Sequence, residues 1–179
     1  TMKTIRKGWF AVGVLFLLVL MGPGYAAPEQ NKDQKAMKFL ALQIAKNDRT
    51  KSSSDVTLDD VRSVKKLIIL SANLTDEQME YFPYARSLEV LEIDAGQKLI
   101  GSGLRHLKEL PKLRKLTVAG SAATNDSMRH LGEMRGLHTL ILSYNTALTD
   151  KGLEHIAKLD KLERLMIDSV SDEGLIHIG

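Results

Sequence analysis

Four histidines, His106, His130, His155 and His177, recur at intervals of 24, 25 and 22 residues, each directly before an apolar residue. Stacked imidazoles are the ingredients of a metal site or a pH sensor. The spacing argues against a shared metal. If each histidine rides on its own helix, neighbouring axes lie about 8–10 Å apart. A zinc–nitrogen bond is only about 2 Å long. No Asp or Glu column runs in register with the four. Aspartates also recur, at Asp76, Asp126, Asp150 and Asp172, where short helices are expected to begin. There they complement the helix dipole, and the spacing of a calcium-binding loop is absent. Ser, His and Asp occur without a nucleophile elbow, a Gly-rich phosphate loop or an H-E-x-x-H pair. The chain has no cysteine, so it lacks a thiol nucleophile, cysteine zinc ligands and disulfides. We therefore expect no enzyme, no catalytic residue, no metal ligand and no cofactor.

What positions these residues is a repeat. The pattern apolar-x-x-apolar-x-apolar starts at Val64, Leu88, Leu113, Leu137 and Leu162, at intervals of 24, 25, 24 and 25. Its fourth and sixth positions alternate as a short strand requires. A turn and an apolar pair at helical spacing follow, such as Leu104 with Leu107, Met128 with Leu131, and Leu153 with Ile156. Thr75, Thr124, Thr149 and Ser171 are placed as N-caps, and Thr75 with Gln78 suits a capping box. No unit buries its apolar edge alone, so stacking must build one core. The expected fold class is an α/β solenoid, with parallel strands on a concave face and short helices on a convex one.

Residues 2–26 have a basic start, an apolar run from Trp9 to Met21, and small residues at Gly24 and Ala26. This is the pattern of a secretory signal, cleaved after Ala26 or Ala27. The apolar run is shorter than the roughly 20 residues that a spanning helix needs. The alternative is an uncleaved anchor, the only membrane contact expected. Lys3, Arg6 and Lys7 lie in this segment, which has no acid, so the net charge of +3 falls to zero without it. A basic nucleic-acid surface is not supported. The expected organisation is 1–26 signal, 27–55 polar linker with a short helix over 36–46, and 56–63 an N-terminal cap helix started by Thr57. The repeats then occupy 64–87, 88–112, 113–136, 137–161 and 162–179.

The segment LTDKGLEHIAKLDKLERLMI at 148–167 resembles the leucine-rich-repeat family. It is closest to the class carrying L-T-D-x-G-L-x-x-L, found in cysteine-containing repeats of F-box receptors and in exported bacterial proteins. The resemblance covers 64–179. Repeat two departs from it, with Ile100-Gly101 where Thr-Asp is expected. An asparagine ladder is not sustained either. Asn145 stands at position nine, but Ala72, Gly96, Ser121 and Val170 replace it elsewhere, so main-chain bonds or water must satisfy that backbone. The fifth repeat reaches Gly179 inside its helix without a recognisable cap. The expectation is a fragment, with further repeats or a partner covering that end.

The resemblance implies binding through the concave strand face. Three outward columns lie between the buried leucines. They hold Lys66, Val90, Lys115, Thr139 and Arg164; then Ile68, Glu92, Thr117, Ile141 and Met166; then Leu70, Asp94, Ala119, Ser143 and Asp168. The candidate partner-binding residues are Lys66, Ile68, Glu92, Asp94, Lys115, Thr117, Thr139, Ile141, Tyr144, Arg164, Met166 and Asp168. Tyr144 is the aromatic anchor among them. The function expected is an exported, non-enzymatic recognition or scaffold module for a protein partner, located in the periplasm, at the cell surface or outside the cell. One alternative is the sensing or docking segment of a longer enzyme or receptor. Another is a ubiquitin-ligase substrate adaptor, which needs an F-box that residues 27–55 are too short and polar to supply.

Overall fold

The computed structural model describes residues 28–96, 98–120, 124–145, 147–168 and 170–176. The expected signal segment and His177 lie outside them. The chain divides into two compact units, Thr1–Lys35 and Ala36–Gly179. Of the first unit, residues 28–35 are described, and they are helical.

Helix α1 runs Pro28–Asn47. Residues 29–35, expected as linker, are therefore helical instead. Pro28 suits a first helical turn, where its missing N–H is no loss. Glu29, Gln30, Lys32, Gln34 and Lys35 are good helix formers. From Ala36 onward the expected apolar spacing is seen in the burial of Ala36, Leu40, Ala41 and Ile44. Phe39 packs on Tyr81 and Phe82, with ring centroids 5.7 and 6.0 Å away. Helix α2, Leu58–Ser63, starts at an N-cap formed by Thr57, whose side chain accepts from the Asp60 N–H.

Five strands follow: β1 Lys66–Ser71, β2 Val90–Ala95, β3 Lys115–Ala119, β4 Thr139–Ser143 and β5 Arg164–Ile167. All pair in parallel, in sequence order. The register follows the repeat: Leu67, Leu91, Leu116, Leu140 and Leu165 lie side by side. One-residue slips are prevented because each would turn the buried leucines outward. The core runs without a break from Leu40 through Leu67, Leu91, Leu116 and Leu140 to Leu159.

The returning segments differ along the solenoid. Repeats three to five make short α-helices: α3 Asn125–Leu131, α4 Asp150–Ile156 and α5 Asp172–Leu175. Repeats one and two make 3-10 helices instead, Glu77–Tyr84 and Ser102–Glu109. Pro83 inside the first removes a backbone donor. The second begins after Gly101, at φ 94°, the residue standing where the other repeats carry a polar side chain.

Candidate functional site: the open sheet face

Alternation sends Leu67, Ile69 and their counterparts into the core and leaves the residues between them on the open side of the sheet. The register brings the expected columns together. Lys66, Val90, Lys115, Thr139 and Arg164 form one row across the five strands. Ile68, Glu92, Thr117, Ile141 and Met166 form the next. Leu70, Asp94, Ala119 and Ser143 form the third, and Asp168 follows the end of β5. Neighbouring strands lie about 4.8 Å apart, so the face is roughly 19 Å wide.

The two ends of this face differ chemically. Over β1–β3, Glu92 gathers the charges of Lys66 and Lys115. Glu92 accepts from Lys115 Nζ at 2.9 Å and lies 3.6 Å from Lys66 Nζ. The hydrogen bond from Lys115 is the main reason the Glu92 carboxyl is held below its ordinary range; burial opposes it, and the charges of Lys115 and Lys66 assist. Over β4–β5 the middle row is apolar. Ile141 pairs with Met166, which is 52% exposed, and Tyr144, just past the end of β4, is 78% exposed. Leu70, at the far end on β1, is 73% exposed.

Tyr144 adopts a left-handed backbone, φ 60°. The equivalent position in repeat three is Gly120, at φ 67°. Glycine is at ease there, whereas a bulky L-residue is strained. Two polar contacts fix this corner. The Tyr144 N–H donates to Asp168 Oδ2 at 2.8 Å, reaching across to repeat five. The buried Asn145 amide donates to the Val118 and Ser143 carbonyls at 3.1 and 3.0 Å. In repeat three the Gly120 N–H donates to the Ser143 carbonyl instead.

Three features were not found by reading the sequence. Asn47, at the end of α1, completes the edge of β1. Its amide donates to the Ile68 carbonyl and accepts from the Ile68 N–H, both at 2.8 Å. The side chain thereby mimics a neighbouring strand. On the helix side, the residue after the cap position in repeats one, three and four reaches forward into the next repeat. Asp76 accepts from Ile100 N–H at 2.9 Å and from Gly103 N–H. Asn125 accepts from Thr149 N–H at 3.1 Å, and Asp150 accepts from Ser171 N–H at 2.9 Å and Ser171 Oγ at 2.6 Å. These side chains are clamps between repeats. The expected caps are realised unevenly. Thr124 N–H donates to Ser127 Oγ at 2.7 Å, and Ser171 Oγ accepts from Gly174 N–H at 3.4 Å. Thr75 makes only the backbone half of its box, to Gln78 Oε1 at 3.1 Å. Thr149 Oγ accepts from Asn125 in place of capping its own helix. The third feature is close approach: a Cβ at Gly152 would lie 2.7 Å from Leu148 Cδ1 and 2.9 Å from Asn125 Oδ1.

The histidines His106, His130 and His155 sit on the returning helices, away from the sheet face. His106 lies 3.7 Å from Glu109. His130 has a buried Nδ1 without a hydrogen-bond partner. Its pKa is lowered chiefly by burial, with Arg129 adding to the effect. Among the described residues, no three His, Asp or Glu side chains converge as metal ligands do, and no helix is long and apolar enough to cross a membrane.

In-register strands, each returned by a short helical segment and joined by side-chain clamps, make this a leucine-rich-repeat solenoid. The structure of internalin C2 from Listeria monocytogenes, a leucine-rich-repeat protein, is similar. Its TM-score is 0.58 with 23% identity, covering 78% of this chain and 59% of that one. A second internalin of that species (inlF) gives a TM-score of 0.48 and 18% identity, over 78% of this chain and 46% of its own. This chain spans less than two thirds of either. No protein-family model and no curated protein matches it.

Proposed function

We propose that the protein is an exported, non-enzymatic recognition or scaffold module that contacts another protein through the open face of its sheet. The carrying observation is the exposure of large apolar side chains on that face: Tyr144, Met166 and Leu70, beside charged neighbours. The core does not require them there, and exposed apolar groups beside charges suit protein contact. The candidate residues divide into Lys66, Ile68, Glu92, Asp94, Lys115 and Thr117 at one end, and Thr139, Ile141, Tyr144, Arg164, Met166 and Asp168 at the other. Export rests on residues 1–26, and the organisation into signal, N-terminal helices and repeats belongs to the same reading.

The test is affinity capture from the native host with the exported form, identifying partners by mass spectrometry. Replacing Ile141 and Tyr144 by Asp is expected to abolish recovery of a specific partner. Unchanged recovery would refute the role of the face. Mass analysis of the N-terminus tests export, with a start at Ala27 or Pro28 expected and an intact N-terminus in the cytosol contradicting it.

A further inference from the structure

We infer that Asn47 guards the outer edge of β1: its side chain occupies the middle of that edge and keeps it from pairing with β1 of a second copy of the chain. The inference is independent of the binding role proposed for the open face.

Neighbouring residues of a strand turn their N–H and C=O groups to opposite edges. The Lys65 carbonyl accepts from the Glu89 and Val90 N–H groups, so Leu67 and Ile69 turn toward β2 as well. Lys66, Ile68 and Leu70 therefore turn to the other edge. Among the described residues no strand lies there, and α1 and α2 precede β1 in the chain. A strand edge of this kind is a template for another strand. At its centre, Asn47 Oδ1 accepts from the Ile68 N–H and Asn47 Nδ2 donates to the Ile68 carbonyl, both at 2.8 Å. Nδ2 also donates to the Gln43 carbonyl, one turn back in α1, at 2.9 Å. The helix thus holds the amide against the strand.

Asn47 is exposed, so water could serve the Ile68 peptide groups in its place, and the net gain from such bonds is small. The difference lies in what each does to an arriving strand. Water is displaced, whereas a side chain tied to a helix stays. Strand addition draws its affinity from main-chain bonds along the edge, and the central ones are taken.

Register identifies the strand that is excluded. Two copies meeting edge to edge about a two-fold axis run antiparallel. Centred on Ile68, that pairing sets Ile68 against its own counterpart and Lys66 of each copy against Leu70 of the other. Facing residues in such pairs exchange both of their bonds, so every peptide group on this edge would find a partner. No lysine meets a lysine, and Leu70, 73% exposed, would gain cover.

The experiment compares Asn47→Ala with the parent chain at full length. Self-association, measured by sedimentation equilibrium, should tighten by about ten-fold or more, the weight of two hydrogen bonds. As concentration rises, hydrogen exchange at the Lys66, Ile68 and Leu70 amides should slow in the variant and stay constant in the parent. Adding Leu70→Pro deletes an edge donor that the β1–β2 ladder does not use, a position where proline is tolerated; association should return to the parent level. Asn47→Ser, too short to reach Ile68, should behave as Asn47→Ala does. Unchanged association in a folded variant would overturn the inference. So would tighter association that survives Leu70→Pro or leaves the β1 amides unprotected. Thermal melts identify the folded variants, and if neither Asn47→Ala nor Asn47→Ser folds, the side chain serves the fold itself and the inference falls.

Discussion

Replacing Tyr144 by glycine and by alanine isolates the backbone strain at the corner of the sheet face. Both changes remove the same ring, so both lose the same contacts. With 78% of the residue exposed, that loss is about 1 kcal/mol in either variant. The two differ in backbone. Alanine must still hold φ near 60°, which costs an L-residue about 1–2 kcal/mol. Glycine escapes that cost but adds about 0.5–1 kcal/mol of unfolded-state entropy. Tyr144→Gly should therefore be more stable than Tyr144→Ala by about 0.5–1 kcal/mol. For a chain of this size that is a gap of roughly 1–4 °C in melting temperature. Urea titrations followed by circular dichroism, with unchanged slopes, measure it directly. An alanine variant as stable as the glycine variant would show that position 144 carries no left-handed strain.

Gly152→Ala gains about 1 kcal/mol of helix propensity but sets a methyl against Leu148, Asn125 and Met128 Cγ, the last 3.0 Å away. Overpacking of about 1–3 kcal/mol should win, so the urea midpoint should fall; a rise would refute the close approach. Asp76→Ala leaves the Ile100 and Gly103 N–H groups without their acceptor and should cost about 2 kcal/mol. Asp76→Asn should restore about half of that, and equal losses in the two variants would count against the clamp. Burial holds the His130 imidazole below its ordinary pKa of about 6.5 in the folded chain. The unfolded chain then binds more protons in the window below 6.5, so stability rises with pH across it and is lost as pH falls through it. The urea midpoint should drop between about pH 7 and pH 5.5, the range in which an unperturbed histidine takes up its proton. The drop should be smaller in His130→Phe, and an identical drop would exonerate His130.

The sheet was legible because the requirement is collective. A leucine pattern repeating every 24 or 25 residues has one way to bury all its leucines, with strands parallel and in register. The outward columns followed from the same alternation. The start of α1 was missed because polar residues 29–35 show no apolar periodicity, and propensity alone sustains them as helix. The clamps were misread for a physical reason. An Asp or Asn at a helix start can serve its own first turn or a neighbour's backbone, and only the distance between repeats decides. Asn47 was invisible because its partner, Ile68, lies 21 residues on, outside the repeat pattern. The strain at Tyr144 had a faint signal. Position eight holds glycine in repeat three and Tyr144 in repeat four, so two residues of opposite conformational habit share one backbone slot.

Clamps on the helix side and the anchor on the sheet side belong to one mechanical chain. A solenoid transmits only through neighbours. Asp150 ties repeat four to repeat five by holding the Ser171 N–H and hydroxyl. Repeat five in turn supplies Asp168, which holds the Tyr144 N–H of repeat four. Repeats four and five are thus closed on both sides by charge-assisted hydrogen bonds, with β4 and β5 between them. Asp150→Ala touches nothing on the sheet face, yet it should loosen repeat five and release the Tyr144 backbone. Amide hydrogen exchange at Tyr144 should accelerate by roughly ten-fold, the effect of about 1.4 kcal/mol of lost local closure. Amides of β1 and β2, several neighbours away, should exchange at their original rates. Uniform acceleration would mean that the clamp supports the whole solenoid alike, and no change at Tyr144 would mean that the two sides of the repeat are independent.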